Sequence, residues 1–202
     1  MSDTNHHSRR RFLSVLATAG LAGVALPTRV FTAGAQTQLP PTPACEDDDQ
    51  PTVVQAEGPF YTPDSPRRTD LRETGIAGTP IVLTGFVLTR SCRPIPGALV
   101  DLWHADDQGV YDNVGYRLRG HQFADADGRY RFETIVPGLY SGRTRHFHVK
   151  FQAPNQPILT TQLYFPDEPA NARDGIFRPE LVVRISDGQE RTAHFDGVLD
   201  IA

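Results

Sequence analysis

His146-Phe147-His148-Val149-Lys150-Phe151-Gln152 alternates apolar side chains with polar ones at every second position. Side chains of a strand point to opposite faces in turn, so Phe147, Val149 and Phe151 share one face and belong to a core. His146 and His148 then share the other face, about 6.6 Å apart along the strand. Two imidazoles at that spacing can converge on one metal ion. The pair alone also fits two histidines on a polar surface, so the surrounding segments have to decide.

Working outward, the same strand character recurs. Pro80–Arg90 and Ala98–Trp103 are rich in β-branched and aromatic residues and are separated by a turn at Pro94–Gly97. Arg129–Ile135 follows Asp127-Gly128, a hairpin-type turn signal. Ile158–Phe165, Glu180–Ile185 and Thr192–Ile201 read as further strands. No stretch sustains helical periodicity between caps, although 162–177 leaves room for a turn or two. With 17 Gly and 17 Pro among 202 residues, turns are frequent and a helical bundle is disfavoured. Short strands with turn signals between them predict an all-β antiparallel β-sandwich. The formal net charge of −4 gives no reason to expect nucleic acid as a partner.

The domain expected is residues 53–202. Residues 1–35 read as a twin-arginine signal peptide: Ser8-Arg9-Arg10-Arg11-Phe12-Leu13, a small-residue apolar run from Val15 to Leu26, then Ala33-Gly34-Ala35 as cleavage site. That run is too short and too rich in Gly and Ala for a permanent membrane anchor. The expected location is therefore periplasmic or secreted, with the twin-arginine machinery as a partner. Residues 36–52, with the acidic run Glu46-Asp47-Asp48-Asp49, read as a flexible linker. Two cysteines, Cys45 and Cys92, allow one disulfide in an oxidising compartment or two free thiols.

Several motifs, taken in order and spacing, resemble the intradiol ring-cleavage dioxygenases, the family of catechol, hydroxyquinol and protocatechuate dioxygenases. They are Glu57-Gly58-Pro59-Phe60-Tyr61, Pro94-x-Pro96-Gly97-Ala98-x-Val100-x-Leu102-Trp103-His104-Ala105, and Asp127-Gly128-Arg129-Tyr130-x-Phe132-x-Thr134-Ile135-x-Pro137-Gly138-x-Tyr140. Arg143-x-x-His146-x-His148 and Thr161-Gln162-Leu163-Tyr164-Phe165 complete the set. The resemblance implies one non-haem iron(III) per chain held by Tyr111, Tyr140, His146 and His148. Phenolates are hard anionic donors that stabilise the ferric state, and imidazoles suit iron generally. It also implies a catechol-type substrate and O2, with cis,cis-muconate-type diacids as products. Tyr140 would leave the metal when substrate binds and take up a proton. Arg143 would sit beside the ring, Gln162 would act from the adjacent strand, and Gly58, Pro59 and Tyr61 would line the pocket mouth.

Alternatives stand beside these. Tyr116 competes with Tyr111 as first tyrosine ligand, and Arg145 with Arg143. Tyr130 and Tyr164 read as core or rim residues, His104 as structural, and His121 and His194 as surface residues. The resemblance implies the catalytic β-sandwich without the N-terminal helical dimerisation domain of dimeric members, since only about twenty residues separate Ala35 from Glu57. With Ser141-Gly142 after the second tyrosine, a wide pocket for variously substituted catechols is expected. The oligomeric state stays open. A non-catalytic sandwich module leaves the tyrosines, histidines and Arg143 unexplained. A cupin needs a glutamate shortly after His-x-His, and residues 149–156 contain none.

Overall fold

A computed structural model describes residues 50–140 and 142–202. Among these residues nine strands form two sheets: β1 (Pro80–Thr89), β2 (Leu99–Trp103), β3 (Arg119–Phe123), β4 (Arg129–Ile135), β5 (His146–Gln152), β6 (Leu159–Tyr164), β7 (Arg184–Ser186), β8 (Thr192–His194) and β9 (Gly197–Leu199). One sheet runs β4-β1-β8-β7 with β9 added along β1, and the other runs β3-β2-β5-β6. Apolar residues from both sheets, among them Leu83, Val87, Phe132, Val100, Leu102, Phe147, Val149 and Phe151, form one buried core. Each such side chain contributes ~1.5–3 kcal/mol by leaving water. The β-sandwich expected from the sequence is present, and no α-helix occurs among the described residues.

Differences from the sequence reading have physical reasons. The turns at Pro94–Gly97 and Asp127-Gly128 join strands of different sheets, because β1 and β4 pair with each other while β2 and β3 pair in the second sheet. Asp127-Gly128 is therefore a crossing between layers rather than a hairpin. The last expected strand, Thr192–Ile201, is split into β8 and β9, which both lie parallel to β1. Between them the Phe195 carbonyl fills the space over Gly85, where a Cβ would lie 1.7 Å from that oxygen. The Phe195 oxygen accepts from Tyr130 Oη at 2.6 Å, and Asp196 takes the Phe86 N–H at 2.8 Å. Glu180–Ile185 is not one strand: Pro179–Leu181 is a 3-10 turn and β7 begins at Arg184. Pro179 cannot donate to a sheet ladder. β3 was not anticipated, since Arg-Gly-His-Gln-Phe lacks apolar alternation. A second 3-10 turn, Pro169–Arg173, falls within the interval left open for one.

The expected signal peptide, Cys45 and nearly all of the expected linker lie outside the described residues. Cys92 is disulfide-bonded. No helix among the described residues is long and apolar enough to cross a membrane.

Candidate metal centre

β5 is buried on both faces from His146 to Lys150. Phe147 and Val149 enter the core as expected. The histidine face is buried because other chain segments cover it: Trp103 of β2 stacks on His148 with centroids 4.9 Å apart and planes within 8°. Gly58 lies over the same imidazole, with φ +77° and a Cβ position 3.3 Å from its Cε1. The two imidazoles turn their Nε2 atoms toward each other, 3.1 Å apart. His146 Nδ1 lies 2.6 Å from the Thr144 carbonyl. That carbonyl can only accept, so Nδ1 carries the proton and the Nε2 lone pair faces the site. Desolvation lowers the His146 pKa to about 4 against the opposing bond to Thr144. Desolvation, then His146 and Arg143, holds His148 well below the ordinary imidazole range. Both rings are neutral and able to ligate.

Two loops bring the tyrosines to this point. Asp106 accepts from the backbone N–H groups of Gln108 and Val110 through Oδ1, shaping the loop that leads to Tyr111. Its carbonyl also accepts from Gly138, which ties in the turn leading to Tyr140. Tyr111 is buried, and its hydroxyl lies 3.4 Å from His146 Nε2. Its ring stacks on Phe60 at 4.6 Å. Tyr140 is half-buried and meets Tyr111 edge-on at 5.9 Å and Phe60 at 5.3 Å. Burial raises the Tyr111 pKa, opposed by Arg143 and Arg119, so this side chain stays a phenol until a cation displaces its proton. Among the described residues no three His, Cys, Asp or Glu side chains could hold a metal ion. A metal held here therefore needs the histidine pair with phenol oxygens. The donors fit a hard ferric ion, and the two-histidine-one-carboxylate and cupin patterns have no carboxylate to complete them.

Arg143 joins the site from the loop before β5. Its Nε donates to Asp174 Oδ2 at 2.8 Å and its Nη2 to Gln162 Oε1 at 2.6 Å. Gln162 is the cross-strand partner of His148 on β6, and its Nε2 donates to the Ala56 carbonyl at 2.8 Å. One glutamine thus joins the arginine, the histidine strand and the segment before Gly58. Tyr61 sits one layer out. Its ring meets Trp103 at 4.8 Å, its hydroxyl donates to Asp101 at 3.2 Å, and Lys150 Nζ lies 3.3 Å over its face. Pro59 is exposed.

The competing candidates lie apart. Tyr116 is exposed and donates to the Pro63 carbonyl at 3.0 Å. Arg145 pairs with Glu168 at 2.8 Å. His104 is buried between the Ala105 carbonyl and Thr134 Oγ1, each at 2.7 Å, a structural role. Tyr130 and Tyr164 are both buried. His121 contacts Ser65 and His194 pairs with Asp196, and each is only part-buried. A cleft of about 460 Å³ lined by Val53, Leu88, Leu181, His194 and Phe195 contains none of the donor residues. Convergence of donor atoms, not volume, marks the site. Sequence reasoning missed Trp103, Thr144, Lys150 and Asp174. Lys150 was within reach, since it continues the His146–His148 face by the same two-residue period.

Residues 56–199 match the family model described as dioxygenase. Hydroxyquinol 1,2-dioxygenase from Rhodococcus opacus is 31% identical over 70% of this chain and 55% of its own length. The protocatechuate 3,4-dioxygenase beta chain from Burkholderia cepacia is 35% identical over 50% of this chain and 51% of its own. The chain spans about half the length of the curated relatives it matches. Among solved structures, the dioxygenase domain of a dioxygenase carbohydrate-binding protein fusion from Streptomyces sp. SirexAA-E is 52% identical. It superimposes with a TM-score of 0.73, covering 76% of this chain and 100% of that one. The match over most of the domain, to relatives named for the ring diols that the motifs suggested, establishes that this chain belongs to the dioxygenase family.

Proposed function

We propose that this chain is an iron(III)-dependent intradiol dioxygenase that opens catechol-type rings with O2 to cis,cis-muconate-type diacids. One observation carries the reading: the Nε2 atoms of His146 and His148 lie 3.1 Å apart, with the Tyr111 hydroxyl 3.4 Å from the former, in a buried and neutral setting. Tyr111, Tyr140, His146 and His148 would hold the ion. When bound, iron(III) supplies a Lewis acid that draws electron density from a chelated diol, opening a ring carbon to O2. Tyr140, half-buried where Tyr111 is buried, would be the tyrosine whose Oη takes up one substrate proton. The Arg143 guanidinium, fixed by Asp174 and Gln162, places a positive charge beside the ring where negative charge develops. Trp103, Phe60 and Gly58 keep water from the histidines, and the 58–61 segment, with Pro59 and Tyr61, forms the mouth of the pocket. Export by the twin-arginine route belongs to the same proposal, tested by the mass of the mature chain in an envelope or medium fraction.

The testing experiment is a visible spectrum of the purified protein with iron analysis and anaerobic addition of catechol. A tyrosinate-to-iron(III) band that shifts on catechol is expected. A protein that stays colourless after iron loading overturns the reading.

A further inference from the structure

We infer that Asp174 is a positioning residue for this site, holding at once the plane of the Arg143 guanidinium and the peptide that orients His146. The inference rests on the roles proposed above for Arg143 and His146. Asp174 closes the 3-10 turn Pro169–Arg173, and its own N–H donates to the Ala170 carbonyl. Its side chain is 2% exposed, unusual for a carboxylate unless it is paired. Oδ2 accepts from Arg143 Nε at 2.8 Å and from the Thr144 N–H at 2.9 Å, and Oδ1 accepts from the Ile176 N–H at 3.1 Å. Two of these bonds lead directly into the site.

The first leads through Arg143. A guanidinium is planar, so fixing two of its nitrogens fixes the third. Asp174 holds Nε and Gln162 holds Nη2, which sets the plane and leaves Nη1 no freedom of its own, and the charge so fixed is near enough to act on Tyr111, His146 and His148. The second leads through Thr144. Its N–H is held by Asp174 and its Oγ1 donates to Asn171 at 2.6 Å, while its carbonyl takes the Nδ1–H of His146 at 2.6 Å. That last bond selects the tautomer presenting Nε2 to a metal. A residue needed only to end the turn would have no reason to bind both. The carboxylate also neutralises a guanidinium whose side chain is only 22% exposed.

Asp174→Asn keeps the size and removes the charge, and it is read in two ways. In the metal-free protein, the Arg143 Nε–H is expected to exchange with solvent about tenfold faster or more once its charged acceptor is gone, and nitrogen shifts of His146 should show loss of the single Nδ1–H tautomer. In the iron-loaded enzyme, kcat on catechol should fall on the order of 10- to 100-fold, as for small misplacements of catalytic groups. Iron content and the charge-transfer band should persist, with KM changed by less than about threefold. Asp174→Asn added to Arg143→Ala should cost less than Asp174→Asn costs the wild type, because only the route through Thr144 then remains to be lost. Should Asp174→Asn not fold, Asp174→Glu keeps the charge and shifts it by one methylene, and the same losses are expected. Unchanged Nε–H exchange, wild-type kcat in the folded variant, or multiplicative loss in the double variant overturns the inference. A wild type with a protected Arg143 Nε–H that binds iron but opens no ring instead overturns the proposed function and leaves the positioning role standing.

Discussion

His104 sets an acid limit on the stability of the metal-free protein. The ring is buried beneath the site, donating from Nδ1 to the Ala105 carbonyl and accepting at Nε2 from Thr134. Desolvation holds its pKa down to about 4, against the bond to Ala105 which raises it. An unfolded histidine titrates near 6.5. Between these values the unfolded chain binds a proton that the folded chain does not, so stability is fully present above pH 6.5 and lost as pH falls toward 4. The one residue accounts for a loss of ~2.5 kcal/mol by pH 4.5 and ~3 kcal/mol by pH 4. The assay is urea unfolding of iron-free wild type and His104→Gln at pH 7, 6, 5 and 4.5, taking the difference so that shared carboxylate and histidine effects cancel. The variant is the less stable at pH 7, and the gap should narrow by ~2.5 kcal/mol at pH 4.5. A gap that stays constant across the series means that folded His104 titrates like an exposed histidine, and the burial argument fails.

Gly58→Ala combines a φ of +77° with a Cβ placed 3.3 Å from His148 Cε1. It should cost ~1–2 kcal/mol in stability and weaken iron binding, followed through the fluorescence of Trp103, the only tryptophan, stacked on His148. Wild-type iron affinity would mean that the segment does not rest on the imidazole. Tyr116→Phe should leave the charge-transfer band where it is, because Tyr116 bonds to Pro63 outside the cluster, while Tyr111→Phe should remove or shift it. The opposite pattern would exchange the two tyrosines.

The sandwich was legible because its strands follow simple alternation. HFHVKFQ puts Phe147, Val149 and Phe151 in the core and both histidines on one face, and that survives intact. β3 was not legible, because Arg119 and Gly120 are buried by long-range packing and carry no apolar pattern. The order of strands across the sheets was equally hidden: the turn signals at Gly97 and Gly128 mark a change of direction, not the sheet entered next. For the site, residues lying in dense motifs could be read off, and Arg143, Gln162, His146 and His148 are linked in space through Gln162 and Thr144. Asp174 was invisible. It reaches Arg143 across 31 positions of sequence, in a segment whose only local signal is a proline-led turn. Tyr61, read as lining the pocket mouth, packs on Trp103 and donates to Asp101, contacts that no motif announces.

The donor set also dictates how metal affinity depends on pH. Protons compete with a metal for every ligand that must give one up, and each such ligand contributes about tenfold in apparent affinity per pH unit below its pKa. In water the two imidazoles would join this competition below ~6.5. Here burial keeps His146 neutral down to about 4 and holds His148 well below the ordinary imidazole range, and the Thr144 carbonyl already fixes the His146 tautomer. Between pH 5 and 6 the protons that a metal must displace are then those of its two phenol ligands, a group that ordinarily titrates near 10. The apparent affinity for iron(III), measured against a chelator and corrected for protonation of chelator and aquo ion, should therefore rise about 100-fold per pH unit. With imidazoles titrating in their ordinary range the rise would approach 10,000-fold. Tyr140→Phe should reduce the slope to about tenfold. A slope near four protons in the wild type would mean that the histidines are charged in the metal-free fold, and that the 3.1 Å approach of their Nε2 atoms does not persist before the metal arrives.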